Sequence, residues 1–121
     1  MPQITVDYSH PGKDALDRHV FARALHEAAV GIAAAKPEAC KTLFRYSDCG
    51  VFGYEDPDAG GHAIVHVTIG LLAGRSDETK ARLTEAVVEL IRRHVAPGDG
   101  VTLHASAEVR ELDRSYRKCE Q

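Results

Sequence analysis

The chain opens with Met1-Pro2-Gln3-Ile4-Thr5-Val6-Asp7-Tyr8, and this stretch decides the expected fold. Ile4, Val6 and Tyr8 alternate with polar residues, and such alternation predicts a β-strand with one buried face. Because the strand begins at residue 2, we expect Pro2 to be held in a sheet rather than in a free tail.

Pro2 allows two interpretations. A small second residue usually permits removal of the initiator methionine, which would make Pro2 a secondary amine that can act as a general base. Alternatively, Met1 stays, the nitrogen of Pro2 is an ordinary amide, and Pro2 only begins an edge strand, where a missing N–H is tolerated. The opening stretch by itself favours the second interpretation.

Composition favours a single soluble domain over residues 1–121. Charged residues make up 27% and hydrophobic residues 44% of the chain, and the net charge is −3. The chain has no basic stretch, which argues against nucleic acid as a partner. No apolar run approaches the roughly 18 residues of a membrane span, and no signal-peptide pattern is present. We therefore expect a cytoplasmic protein whose cysteines, Cys40, Cys49 and Cys119, are free thiols.

The first half of the chain predicts a helix and a second strand after the opening strand. Apolar residues recur at helical spacing over roughly residues 13–35, and Lys36-Pro37 ends the helix. They are Leu16, Val20, Ala24, Leu25, Ala28, Ala29 and Ile32. A less regular strand is expected over residues 43–51, followed by a loop over residues 52–61.

The second half repeats this order. Residues 62–72 form the clearest strand pattern, with Ala63, Val65, Val67, Ile69 and Leu71 on one face. After a tight turn at residues 73–75, Ser76 is a good N-cap for a helix that runs to about residue 95. Residues 101–109 alternate as a last strand, and the charged tail from residue 111 to residue 121 predicts little structure of its own.

The predicted fold is therefore α+β, with two β-α-β halves over about residues 2–55 and 62–110, which suggests a structural duplication. A strand–helix–strand crossover normally makes its two strands parallel. Four strands in one sheet with both helices on one face leave the other face bare, with Ile64 and Leu72 on it. We expect such a layer to associate through its sheet faces or edges.

Several motifs resemble the 5-carboxymethyl-2-hydroxymuconate isomerase family of the tautomerase superfamily, to which 4-oxalocrotonate tautomerase and macrophage migration inhibitory factor also belong. They are the Met-Pro-x-Ile-x-Val-x-Tyr-Ser start, the Ala63-Ile-Val-His-Val-Thr-Ile strand, the Ala73-Gly74-Arg75-Ser76 turn and the Glu89-Leu-Ile-x-x-His94 helix end. The resemblance covers Pro2 to about Leu112, and it reverses the preference for Pro2 in favour of a general base.

The resemblance implies the tautomerase fold, a homotrimer, and an active site at each N-terminal proline near a subunit boundary. There Pro2 would move a proton between carbons of an unsaturated 2-oxo or 2-hydroxy acid, without a cofactor. Arg75 matches one family arginine in context. Lys41 stands where the family usually has the other arginine, and the tail ends early, without the family's Asn- and His-containing close.

Cationic side chains suit this chemistry, because they lower the pKa of a nearby amine and bind a carboxylate or a developing oxyanion. For Arg75 the alternative is a solvated turn residue. A cation just before a helix N-terminus opposes the helix dipole and has no evident local gain, which favours function. Lys41 is an open candidate for substrate binding. Arg45 shares a strand face with Lys41 and is a weaker candidate, with a surface or interface charge as the alternative.

Other catalytic classes find little support in the sequence. His62 and His66 would share a strand face, but no carboxylate or cysteine lies at metal-ligand spacing, so structural histidines are favoured over a metal site. Cys49 lacks the flanking glycines of a nucleophile elbow, and Gly60-Gly61 is a turn rather than a phosphate loop.

The leading hypothesis is a cofactor-independent tautomerase of the cytoplasm, acting on a small unsaturated carboxylic acid in aromatic-compound breakdown. One alternative is a relative recruited to another proton transfer in biosynthesis. The other is a catalytically silent trimer that binds a ligand or a partner.

Overall fold

Strands and helices alternate as the sequence predicts in the computed structural model, which describes residues 2–9, 15–54 and 61–121. The α+β class is confirmed, with one β-α-β unit in each half. The elements are β1 (Gln3–Ser9), α1 (Arg18–Ala33), a 3₁₀ helix (Pro37–Ala39), β2 (Lys41–Ser47), β3 (His62–Leu71), α2 (Asp77–His94) and β4 (Thr102–Glu111).

The four strands form one mixed sheet in the order β2-β1-β3-β4. The strands of each half, β1 with β2 and β3 with β4, run parallel, as expected for crossovers through a helix. β1 and β3 run antiparallel and join the two halves. Because β1 lies between β2 and β3, the expected edge position of the strand that follows Pro2 is wrong. Removal of Met1 stays a prediction.

The core lies between one face of the sheet and both helices. Ile4 and Val6 of β1 and the apolar face predicted for β3 are buried there. Helix α1 buries Phe21, Leu25, Ala29 and Ala33, and helix α2 buries Leu83, Val87 and Ile91. Buried residues three or four positions apart give each helix a single apolar stripe, so both helices pack on the same side of the sheet.

Side-chain caps set the start of both long helices. The Asp17 carboxylate accepts a hydrogen bond from the Val20 amide, and the Ser76 hydroxyl accepts one from the Thr79 amide, as the sequence predicts for Ser76. The first helix therefore begins later than the predicted residue 13, which itself lies outside the described residues. Leu16, expected in the helical stripe, instead forms an isolated antiparallel bridge with Val95.

Strand pairing corrects two other predicted boundaries. The second strand was expected over residues 43–51, but β2 pairs along the whole of β1, from Gln3 opposite Lys41 to Ser9 opposite Ser47. Its length therefore follows its partner rather than its own alternation. In the same way β4 continues to Glu111, because it pairs with β3 as far as Leu71.

The second face of the sheet carries no helix and is mostly polar. Arg45 donates two hydrogen bonds to the Asp7 carboxylate, at 2.7 and 3.0 Å. His66 Nδ1 lies 2.6 Å from the Ser106 hydroxyl. Leu43 is 71% exposed and Leu72, beyond the end of β3, is 46% exposed. No helix in the described ranges is long and apolar enough to cross a membrane.

The buried stripe of α1 gives a stability prediction. Phe21 is fully buried and its ring packs against Phe44 and His94. Phe21→Ala should lower the free energy of unfolding by about 3–5 kcal/mol, because it leaves a cavity in the core. Urea unfolding followed by circular dichroism measures the change.

The neighbouring residue is the matched control. Val20 is 53% exposed, so Val20→Ala should change the free energy of unfolding by only about 0.5 kcal/mol. Equal losses in the two variants would contradict the orientation of α1.

Candidate functional site

Pro2 lies at one end of the two inner strands and is buried within its own chain. Its carbonyl accepts a hydrogen bond from the Lys41 amide at 3.3 Å, which joins the start of β1 to the start of β2. Gln3 pairs with Gly70 near the end of β3, so the turn that contains Arg75 follows at the same end of the sheet. The fold therefore brings the segments of Pro2, Lys41 and Arg75 to one edge.

Arg75 is held by two backbone carbonyls. Its Nε donates to the Ala33 carbonyl at 3.0 Å, and its Nη1 donates to the Leu72 carbonyl at 3.4 Å. Ala33 is the last residue of α1, and Ala34 follows in the left-handed region with φ 57°. Arg75 thus satisfies a carbonyl that a helix C-terminus leaves without an intrahelical partner. The expectation of no local gain for this cation is wrong.

The two hydrogen bonds of Arg75 orient its guanidinium without using all of it. An arginine has N–H donors on Nε and on both terminal nitrogens. Neither contact with the described residues uses Nη2. A positioned guanidinium with this nitrogen available can bind a carboxylate oxygen.

Lys41 is exposed and begins β2 opposite Gln3. Its ammonium donates to the Ala39 carbonyl at 3.3 Å. The thiol of the preceding Cys40 donates to the Lys36 carbonyl at 3.4 Å. Burial raises the pKa of the Cys40 thiol, and the Lys41 ammonium offsets part of that rise. Lys41 therefore adds a positive charge on the same residue whose backbone amide bonds to the Pro2 carbonyl.

Arg45, the third cation considered from sequence, lies elsewhere on the sheet. It is four positions beyond Lys41, or about 13 Å along an extended strand, and its guanidinium pairs with Asp7. The structure does not bring it to the edge that holds Pro2. Its surroundings fit the alternative of a surface charge.

The C-terminal tail contributes residues that sequence reasoning missed. The tail was expected to be weakly structured, yet the Leu112 amide donates to the Leu71 carbonyl at 2.7 Å, and Gln3 Nε2 donates to the Tyr116 hydroxyl at 3.1 Å. Leu112 also packs on Gly70 so closely that a Cβ there would lie 2.9 Å from its side chain. That glycine within an apolar strand was the available signal.

Three histidines, His62, His66 and His104, form two small polar clusters away from Pro2. His62 Nδ1 and His104 Nε2 are 2.8 Å apart, and both rings stack on Phe52. His66 contacts Ser106, and its Nε2 lies 3.3 Å from Glu108. Hydrogen bonds from Arg110 and from His66 lower the pKa of the Glu108 carboxyl. Across the described ranges, no group of three or more metal-ligand side chains is placed to hold an ion.

A surface groove of about 690 Å³ lies on the outer side of α1. His26 lines it, and His26 Nε2 is 2.8 Å from the Thr42 hydroxyl. Burial lowers the pKa of His26. Pro2, Lys41 and Arg75 do not line this groove, so it is separate from the candidate site.

Comparison with known proteins identifies the fold. No protein-family model matches the sequence, and no curated protein matches it either. A 5-carboxymethyl-2-hydroxymuconate isomerase from Deinococcus radiodurans R1 superposes with a TM-score of 0.74 at 20% identity, over 98% of this chain and 90% of that one. A fused 4-OT described as a wild type symmetric trimer superposes with a TM-score of 0.73 at 19% identity, over 97% and 90%.

A third similar structure is named as a decarboxylase rather than an isomerase. A malonate semialdehyde decarboxylase, inhibited by 3-bromopropiolate, superposes with a TM-score of 0.61 at 21% identity, over 96% of this chain and 91% of that one. The tautomerase-type fold expected from the sequence is therefore confirmed across nearly the whole chain.

The environment of Cys40 gives a prediction about thiol reactivity at this edge. Cys49 and Cys119 are exposed, whereas Cys40 is partly buried with a raised pKa. Because the thiolate is the reactive form, iodoacetamide near pH 8 should alkylate Cys40 last. Peptide mass spectrometry over a time course measures the order. Faster alkylation of Cys40 than of both other cysteines would mean that Lys41 outweighs burial.

Proposed function

We propose that this chain is a cofactor-independent tautomerase with Pro2, freed of Met1, as its general base. Its substrate is an unsaturated 2-oxo or 2-hydroxy carboxylic acid, and it acts as a homotrimer. The observation that carries the proposal is the convergence of Pro2, Lys41 and the Arg75 turn on one sheet edge. The fold shared with an isomerase and with a trimeric 4-OT supports it.

The reaction needs a base that is neutral at working pH. The neutral amine of Pro2 removes one proton, from a carbon of the 2-oxo form or from the hydroxyl of the 2-hydroxy form, which leaves a conjugated dienolate. The protonated amine then returns that proton to another position of the dienolate. No electron is gained or lost, and the amine ends as it began, so one residue serves as base and then as acid.

Arg75 and Lys41 have different roles in this reaction. Arg75 is oriented by the Ala33 and Leu72 carbonyls, and its Nη2 donates to the substrate carboxylate or to the dienolate oxygen. Lys41 adds a point charge, which is less directional than a guanidinium. Charge placed before the reaction stabilises the dienolate without further reorganisation. The same charge lowers the pKa of the Pro2 amine, because protonation next to cations is unfavourable.

Two alternatives have specific support. The fold shared with a malonate semialdehyde decarboxylase supports a related enzyme recruited to a different reaction of a small oxo acid. Lys41, a point charge where the family usually has an arginine, supports the other alternative, a catalytically silent trimer that binds a ligand or a partner. Ketonisation of phenylenolpyruvate, followed by absorbance, separates the tautomerase from the silent trimer.

Removal of Met1 gives the most direct test of Pro2 as the general base. Intact-mass measurement should show the loss of one methionine. For the processed protein, kcat/KM should fall as the pH decreases below about pH 8, because the amine becomes protonated and stops acting as a base.

Met1-retaining protein is the matched comparison, since only the amine differs. Retention turns the Pro2 nitrogen into an amide, so it should remove most of the roughly 10²- to 10⁴-fold that a positioned base contributes. Pro2→Ala in processed protein keeps a primary amine and should retain partial activity. Equal turnover with and without Met1 would exclude Pro2 as the base.

Arg75 is tested by two substitutions. Losing a charged hydrogen-bond partner typically costs about 1.5–3 kcal/mol, so Arg75→Ala should lower kcat/KM by at least about tenfold. Arg75→Lys keeps the charge but not the fork, and it should recover only part of the loss.

Arg45→Ala is the control, because Arg45 lies away from this edge and should leave kcat/KM unchanged. Light scattering should give about three chain masses for every variant, which separates a catalytic loss from dissociation. Unchanged kcat/KM in Arg75→Ala would leave Arg75 with only its role at the end of α1.

A further inference from the structure

The C-terminal tail crosses the sheet at the edge that holds the candidate site. Register places Lys41 opposite Gln3, Gln3 opposite Gly70, and Gly70 opposite Arg110. Cross-strand neighbours point to the same side of a sheet, so this row lies on the face without helices. It is also the row next to Pro2.

Successive tail residues contact successive members of this row. Leu112 covers Gly70, and four positions later the Tyr116 hydroxyl accepts a hydrogen bond from Gln3. Further along the tail, the pKa of the Glu120 carboxyl is lowered. The hydrogen bond from Lys118 is the main cause, and the positive charge of Lys41 lowers this pKa further. The contacts of Leu112 and Tyr116 therefore lead the tail across the sheet from β3 to β1.

Gly70 makes this path possible. It belongs to an otherwise apolar strand, and any side chain there would meet Leu112 at 2.9 Å. The Leu112 amide is also bound to the Leu71 carbonyl at 2.7 Å. The tail is thus fixed where it leaves the sheet, and Tyr116 is fixed again through Gln3.

We propose that the tail forms one wall of the Pro2 site and that Tyr116, held by Gln3, is its specificity-determining residue. The proposal rests on the proposed function, which supplies the substrate class. Tyr116 offers an apolar ring beside a hydroxyl, which suits the planar unsaturated part of an enol acid whose carboxylate lies toward Lys41 and Arg75. A ring at this wall limits the size of the group at the far end of the substrate.

Substrate preference tests the proposal, because a purely structural role of Tyr116 would change kcat/KM for a small and for a bulky substrate by the same factor. The enol form of oxaloacetate is small, and phenylenolpyruvate is bulky. Tyr116→Ala should raise kcat/KM for phenylenolpyruvate relative to enol-oxaloacetate by about tenfold, the usual effect of one changed pocket contact. Tyr116→Phe keeps the ring and should shift the ratio far less.

Arg114→Ala is the matched control within the tail, since the Arg114 side chain is exposed and only its backbone carbonyl accepts a hydrogen bond, from Arg117. It should leave the ratio unchanged. An unchanged ratio in Tyr116→Ala, or an equal shift in Arg114→Ala, would overturn the assignment of Tyr116.

Hydrogen exchange separates failure of the tail proposal from failure of the proposed function. The dicarboxylate cis,cis-muconate should slow amide exchange over residues 112–121 in the original protein but not in Tyr116→Ala. If neither enol is ketonised, the tautomerase proposal fails, and protection by muconate would still support the tail as a wall of a carboxylate site. No protection of the tail by muconate would overturn the wall itself.

Discussion

The pairing of β1 on both of its edges is the constraint on which the rest of the structure depends. Its parallel neighbour β2 and antiparallel neighbour β3 use its backbone groups along the strand, so the strand cannot shift by one residue without turning Ile4 and Val6 away from the core. At the far end, the Ser9 hydroxyl accepts a hydrogen bond from the Ile64 amide at 2.9 Å. Pro2 is consequently held at a defined place by the most enclosed strand of the sheet.

Apolar side chains are buried on only one face of the sheet, so that face supplies most of the stability and the other face remains open to other contacts. Fully burying an aliphatic or aromatic side chain contributes about 1.5–3 kcal/mol, and such side chains lie between the helices and the sheet. The opposite face is covered by polar pairs such as Asp7 with Arg45. Exposed ion pairs of this kind contribute little, so this face is available for association and for the tail. The exposed Leu43 lies on this same face.

The candidate site reuses groups that the fold already needs. Arg75 completes the end of α1, and the Lys41 amide extends the β1–β2 ladder by bonding to the Pro2 carbonyl. Each cation is thereby positioned by backbone contacts, which are less mobile than contacts between long side chains. Under the proposed function, this positioning would be in place before a substrate binds, which electrostatic stabilisation of an enolate requires. It also means that a contact with the fold does not count against a functional role.

The sequence by itself determined the element types and the parallel crossovers, because alternation, helical spacing and capping are local properties of the chain. The candidates Arg75 and Pro2 as a base came from the family resemblance of its motifs. The sequence missed the ends of β2 and β4, the role of Arg75 at α1, and the tail contacts of Leu112 and Tyr116. Those depend on partners distant in the sequence: a strand ends where its neighbour ends, and a carbonyl or a glycine attracts a side chain only after folding brings the two together. Only the tertiary structure therefore decided which cations share an edge with Pro2 and which residues cover that edge.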